Sequence, residues 1–203
     1  DCGRIIERLK PAETFLAAFT VAGATPAIGD CDDGYAVGPN LHPKRQTPAS
    51  LPEPVTTFEP SGYTVFRPTA DVLLTFDHGP LGMAPLYNHG HADALSITLS
   101  VNGLPVLVDP GTYRYNGAPE HRRYFKGTRA HNTVAVDDQD QAMQQTGFIW
   151  SAPYRTKLLA AHKLDGGFFI AAENDGYARF SNPVRHKRTL LMLDPQHFLV
   201  RDT

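Results

Sequence analysis

His89, His91, Asp93, Asp109 and His131 are the side chains whose types and spacing could do chemistry together. They belong to three clusters: Asn88-His89-Gly90-His91-Ala92-Asp93, Val108-Asp109-Pro110-Gly111-Thr112-Tyr113 and Thr128-Arg129-Ala130-His131-Asn132-Thr133. Imidazole nitrogens and carboxylate oxygens are common zinc donors, so His91, Asp109 and His131 converging on one point would make a three-ligand site. A plainer alternative is that these histidines cap strand ends and bond to backbone.

Convergence depends on the elements between the clusters. Leu95, Ile97, Leu99 and Val101 alternate with Ser96, Thr98 and Ser100, the period of a strand with one buried face. Asn102-Gly103 suits the positive φ angles of a type I′ turn. Residues 104–108 read as the returning strand, with Pro105 marking an edge or a bulge. That register sets Asp109 opposite about Ser96, and His91 and Asp93 lie just beyond the same open end of the ladder. His131 opens another short alternating run, residues 132–136, and is expected at a strand end too.

The chain has 203 residues, enough for one large domain or for one domain with a piece of another. A hydrophobic fraction of 41% with 20% charged residues is that of a globular protein. The net charge of −2 provides no global field to recruit nucleic acid or an anionic membrane. No apolar run reaches the length of a membrane span. Cys2 and Cys31 are too few for a disulfide framework. They are open to pairing in an oxidising compartment, and neither has neighbours that would make a reactive thiolate.

Residues 1–22 read as helical, with Ile5, Ile6, Leu9, Phe15, Leu16 and Phe19 at helical spacing. Pro11 is expected to break that run or to start a second short helix ending at Gly23. Residues 24–60 turn to Pro, Gly, Asp and Asn with little periodicity. Within them, Ile28-Gly29-Asp30-Cys31-Asp32-Asp33-Gly34 has the wrong acidic spacing for a calcium loop, and no bidentate Glu follows. It reads as a tight polar turn. From residue 62 strands dominate: 63–66, 72–76, 147–150, 157–161, 167–172, 188–193 and 198–200, the last two joined at Asp194-Pro195. Short strands at this spacing suggest an antiparallel β-sandwich over residues 61–203. The chain ends directly after a strand-like run, so the sandwich is expected to be truncated there.

Taken in order, five motifs resemble the heparinase II/III family of polysaccharide lyases, a scaffold that related alginate lyases share. They are His-Gly-His-Ala-Asp at 89–93, Asp-Pro-Gly-Thr-Tyr at 109–113, Arg122-Arg123-Tyr124-Phe125, Ala-His-Asn-Thr-Val at 130–134 and Asp-Gln-Asp-Gln at 138–141. Ile28-Gly29-Asp30 resembles, more faintly, the end of the helical domain that precedes the sandwich. Family members join an α/α toroid to the β-sandwich and cleave uronate-containing polysaccharides by β-elimination in the cleft between them. The resemblance therefore implies that residues 1–60 are the tail of a toroid and a linker. It implies His91, Asp109 and His131 as ligands of a structural zinc ion, and a periplasmic or secreted location. Asp93 is then a reasonable outer partner for a ligating imidazole.

His89 corresponds in the family to a histidine at the active-site cleft. β-Elimination removes the C5 proton beside a uronate carboxylate and expels the glycosidic oxygen at C4, so the site must stabilise a carboxylate gaining enolate character. His89 is the expected catalytic residue for that task or for assisting proton transfer. Among the nearby tyrosines and arginines, Tyr113 and Arg122 are the preferred substrate-binding residues, by sugar stacking and carboxylate or sulfate pairing. The catalytic tyrosine and further substrate groups are implied to come from the toroid, so this chain alone is expected to be inactive. Two other classes fit the residues: a non-catalytic carbohydrate-binding sandwich, and a zinc-dependent hydrolase using the fourth metal position for water.

Overall fold

The computed structural model describes residues 2–21, 23–31 and 53–203. Asp32, Asp33 and Gly34, three of the seven residues of the expected polar turn, lie outside the described residues.

Nine of the strands build two facing sheets. The first runs in sequence order through β1 (Val55–Phe58), β2 (Tyr63–Phe66), β3 (Val72–Asp77), β4 (Ile97–Val101) and β5 (Leu104–Leu107), all antiparallel. A short ribbon follows, β6 (Met143–Gln144) with β7 (Trp150–Ser151). The second sheet contains β8 (Thr156–Lys163), β9 (Phe168–Asn174), β10 (His186–Asp194) and β11 (His197–Asp202), in the order β11-β10-β9-β8. Phe66, Leu74, Phe76 and Ile97 of the first sheet meet Ile170, Ala172, Leu190 and Met192 of the second in one core. Burying a side chain such as Phe66 or Phe76 contributes about 1.5–3 kcal/mol each. The architecture is the expected antiparallel β-sandwich.

The other face of the first sheet is also covered. Val65 and Leu73 pack against Ala18, Phe19 and Val21, and Phe15 stacks on Phe19 at 4.5 Å. These residues come from helix α1 (Cys2–Phe19) and the segment after it. Pro11 does not break α1. Residues 3–14 are all exposed, so the carbonyl that Pro11 leaves without an N–H partner can be met by water. Ile5, Ile6, Leu9 and Leu16, which share the helical period, are exposed rather than packed.

Asn102 and Gly103 have φ of 54° and 73°, as the hairpin turn requires. Leu99 then pairs with Leu107 and Ser100 with Pro105, so a bulge sits at the position Pro105 marked. Carried to the strand end, this shift sets Asp109 against Ile97 rather than Ser96. Leu95 is buried but has a φ of 64° and stands outside the strand.

Three expectations need correction. β1 lies in the stretch that composition assigned to the linker, because Val55-Thr56-Thr57-Phe58 is too short and polar to announce itself. Helix α2 (Pro119–Phe125) was missed, being too short for periodicity to show, although Pro119 occupies its first turn. His131 begins no strand: it ends a 3-10 turn at Thr128–Ala130, and residues 132–136 form no ladder beyond one isolated bridge from Val136 to Gln139. Side-chain bonds to Ala92 and Ala94 hold that segment instead. Cys31 is an exposed free thiol. Among the described residues, no helix is long and apolar enough to cross a membrane.

Candidate functional site

His91, Asp109 and His131 do converge: one ligand atom from each lies within 4.8 Å of the others. Each residue has its remaining polar atom occupied. His131 Nδ1 is 2.8 Å from the Gly127 carbonyl oxygen, which only accepts, so Nδ1 carries the hydrogen and Nε2 the lone pair. His91 Nε2 is 3.0 Å from Asp30 Oδ1, which leaves the lone pair of His91 on Nδ1. Asp109 Oδ1 accepts from Gly29 N at 3.0 Å and Gly111 N at 2.8 Å, freeing Oδ2.

The freed atoms face one another. His91 Nδ1 is 3.2 Å from His131 Nε2, and Asp109 Oδ2 is 3.7 Å from the same nitrogen. Two imidazole lone pairs at that separation repel unless a proton or a cation lies between them. Burial lowers the proton affinity of His131, against the pull of Asp109. Two ligands at zinc distances and a tetrahedral angle stand about 3.3 Å apart. The trio therefore fits a small divalent cation.

Charge points the same way. Asp77, Asp93 and Asp109 share this buried region. Burial first, and repulsion from neighbouring carboxylates after it, pushes Asp77 and Asp93 above the ordinary carboxylate range. A bound cation reverses that logic. Asp93 is not the outer partner of either imidazole: its Oδ2 is 4.0 Å from Nε2 of His131, the ligand-facing nitrogen, and its Oδ1 accepts from Tyr154. The outer partners are Asp30 for His91 and the Gly127 carbonyl for His131.

Asp30 is the residue that sequence reasoning missed. Its Oδ1 meets His91 Nε2, its Oδ2 meets His89 Nδ1 at 2.8 Å, and Arg122 forks onto both oxygens at 3.0 and 3.1 Å. Burial alone would raise its pKa, but hydrogen bonds from His91 and His89 hold it well below the usual range. The one available signal was Gly29-Asp30 itself, which fails as a calcium loop and matches only faintly the end of the helical domain, with no role given to Asp30.

His89 and His91 thus share one carboxylate from opposite sides. The side chain of His89 is 56% exposed, that of His91 only 1%. His89 has a φ of 64°, in the left-handed region that non-glycine residues seldom adopt. Gly90 between them leaves no room for a side chain, since a Cβ there would stand 1.9 Å from the Leu81 carbonyl oxygen. A cavity of about 250 Å³ opens beside His89, lined also by Asp30, Tyr63, Asp77 and Asp93.

Arg122 departs from expectation. It is 2% exposed, its Nε donates to Gly147 O, and its guanidinium packs against Tyr115 and Phe148, 4.9 and 4.6 Å from the centroids of two rings that stack on each other. It is placed to hold Asp30 rather than to meet a ligand. Tyr113 is half exposed, with a φ of 65°, and lies flat over His121 and Phe125 on one face of α2. Arg114 rests 5.0 Å from its ring.

The sequence pattern of the heparinase II/III-like C-terminal domain matches residues 50–203. The chain belongs to this family. No curated protein matches it significantly. Among solved structures of heparinase II/III-like proteins, a heparinase III (the BT4657 gene product) superposes with a TM-score of 0.60 at 24% identity. That match covers 75% of this chain and 22% of the other. Heparan sulfate lyase HepC from Pedobacter heparinus superposes with a TM-score of 0.58 at 21% identity, covering 77% of this chain and 22% of HepC. At such identities the likeness shows a shared fold. This chain spans about a fifth of the length of those structures.

Proposed function

We propose that this chain supplies one wall of the active site of a polysaccharide lyase that cleaves uronate-containing acidic glycans, of the heparan sulfate or alginate kind, by β-elimination. The observation that carries the reading is the Asp30 carboxylate held between a buried His91 and an exposed His89. Asp30 accepts from Nδ1 of His89, so Nε2 is the nitrogen left to face a substrate. Protonated, His89 donates to the uronate carboxylate as C5 loses its proton and enolate charge develops. The electron pair then forms the C4–C5 double bond and the glycosidic oxygen leaves with a proton. The remaining acid–base groups, a catalytic tyrosine among them, belong to an α/α toroid elsewhere in the same polypeptide. The exposed apolar residues of α1 are consistent with such a neighbour.

His91, Asp109 and His131 are proposed to hold zinc in a structural role. When bound, the ion ties together three chain segments and holds the loop bearing His89. Tyr113 offers a flat aromatic face for a sugar ring, and Arg122 acts through Asp30. A second depression of about 790 Å³, lined by Tyr87, Tyr154 and Arg155, shares Gly79, Pro80 and Leu81 with the cavity at His89, giving length for a polymer. A substrate of this kind is met in the periplasm or outside the cell.

The test is turnover of heparan sulfate and of alginate by the full-length protein, followed by ultraviolet absorbance of the unsaturated product. His89→Ala is expected to lower kcat by about 10²–10⁴, and residues 1–203 alone are expected to give no product. Saturated products lost on chelation would point to a zinc hydrolase instead. The exposed Tyr113 platform favours one second reading, a non-catalytic glycan-binding sandwich. Glycan binding without turnover, unchanged in His89→Ala, would establish that reading.

A further inference from the structure

Asn132 follows His131 directly, and its carboxamide nitrogen donates two hydrogen bonds, to Val108 O at 2.8 Å and Ile97 O at 2.9 Å. Val108 precedes Asp109. Ile97 opens β4, the strand entered from the segment that carries His91 and Asp93. A primary amide has two N–H donors, and Asn132 spends both on the backbones of the other two ligand-bearing segments. Among the described residues, no β-ladder links all three segments. The β4–β5 pairing ends at Leu99 with Leu107, and His131 lies in no strand.

The backbone of Asn132 is held from behind by the second sheet. Arg188 of β10, 6% exposed, donates from Nη1 to the carbonyls of Asn132 and Leu95. Its Nε and Nη2 fork onto the two carboxylate oxygens of Asp202, each at 2.8 Å. His186 Nε2 meets the same carboxylate at 2.7 Å. A planar guanidinium clamped on one side presents its remaining donor in a fixed direction. The chain of contacts runs from the β11 end through Arg188 and Asn132 to the residues flanking the trio.

We propose that Asn132, backed by Arg188 and Asp202, is a positioning device that sets the spacing of His91, Asp109 and His131 before a metal binds. The inference rests on the metal reading of that trio. Ligands already held near their bound separations lose less freedom on binding, so the device acts as affinity for the ion. Thr133 provides a natural contrast. Its hydroxyl donates to Ala94 O at 2.7 Å, stitching the same segment to the His91 side while leaving Val108 and Asp109 untouched.

The test uses the full-length protein and Zn²⁺ alone, with affinity read by competition against a chromophoric chelator and fold stability by Tm in EDTA. Asn132→Ala is expected to bind Zn²⁺ about ten- to a hundredfold more weakly, the range found when outer contacts of metal sites are removed. Thr133→Val is expected to lower Tm while keeping affinity close to wild type. Arg188→Lys keeps the charge without the fork and is expected to lose part of the affinity. It decides the matter in the event that Asn132→Ala does not fold. Wild-type affinity in the folded variants would overturn the proposal alone. A wild-type protein that takes up no Zn²⁺ would overturn the metal reading and this inference with it.

Discussion

Asp30 and Arg122, 92 positions apart, form a two-pronged ion pair with both side chains nearly out of reach of solvent. Asp30 carries His89 and His91 on the same two oxygens, so the pair underlies both the exposed and the buried histidine. Arg122→Ala leaves a buried carboxylate without its cation. That is expected to cost about 3–5 kcal/mol of stability, measured by urea unfolding. Arg122→Ala combined with Asp30→Ala is expected to cost less than the sum of the two single changes, because the stranded charge is gone. Strict additivity would show that the pair does not couple.

The proposed metal reading of His91, Asp109 and His131 predicts that stability depends on free metal. Zinc at about a hundred times its dissociation constant should add about 2.7 kcal/mol to the folded state. Tm should therefore rise with added Zn²⁺ and fall back on chelation. Asp109→Ala is expected to abolish the rise while leaving the sandwich folded in EDTA, since among the described residues its hydrogen bonds go to the backbone N–H groups of Gly29 and Gly111, with His131 Nε2 farther off at 3.7 Å. An Asp109→Ala protein whose Tm still climbs with Zn²⁺ would place the ion elsewhere.

The hairpin from β4 to β5 was legible because alternation and Asn102-Gly103 are both local signals, and Pro105 even marked the bulge. Strands alone, however, do not bring His131 in. It arrives on an irregular segment held by Thr128, Thr133 and Asn132 through side-chain bonds, which no periodicity encodes. The metal trio could still be named, because ligand type and motif resemblance are carried by the residues themselves. Asp30 could not, because its meaning comes entirely from partners 59 to 92 positions away. Arg122 illustrates the converse: its charge suggested a ligand contact, whereas it is buried against Tyr115 and Phe148 with its donors directed to Asp30 and the Gly147 carbonyl.

His78 gives the fold a slope against pH that is separable from the metal site. Its ring is buried beside Phe76, with Nε2 3.0 Å from Thr64 Oγ1, and burial lowers its pKa to about 4. In the unfolded chain a histidine titrates near about 6.5. Above that value neither state takes the proton, so His78 contributes no slope. As the pH falls from about 6.5 towards about 4, the unfolded chain binds the proton and the folded one does not, so stability declines. Below that window both states are protonated and the contribution levels off. Burial also lowers His131 and His186, which add to the same slope. The measurement is the urea midpoint from pH 7 to pH 4 in chelator, which keeps metal uptake out of the comparison. His78→Gln is expected to flatten the wild-type slope by one proton's share while leaving the rest. A variant as steep as wild type would show that His78 is protonated inside the fold.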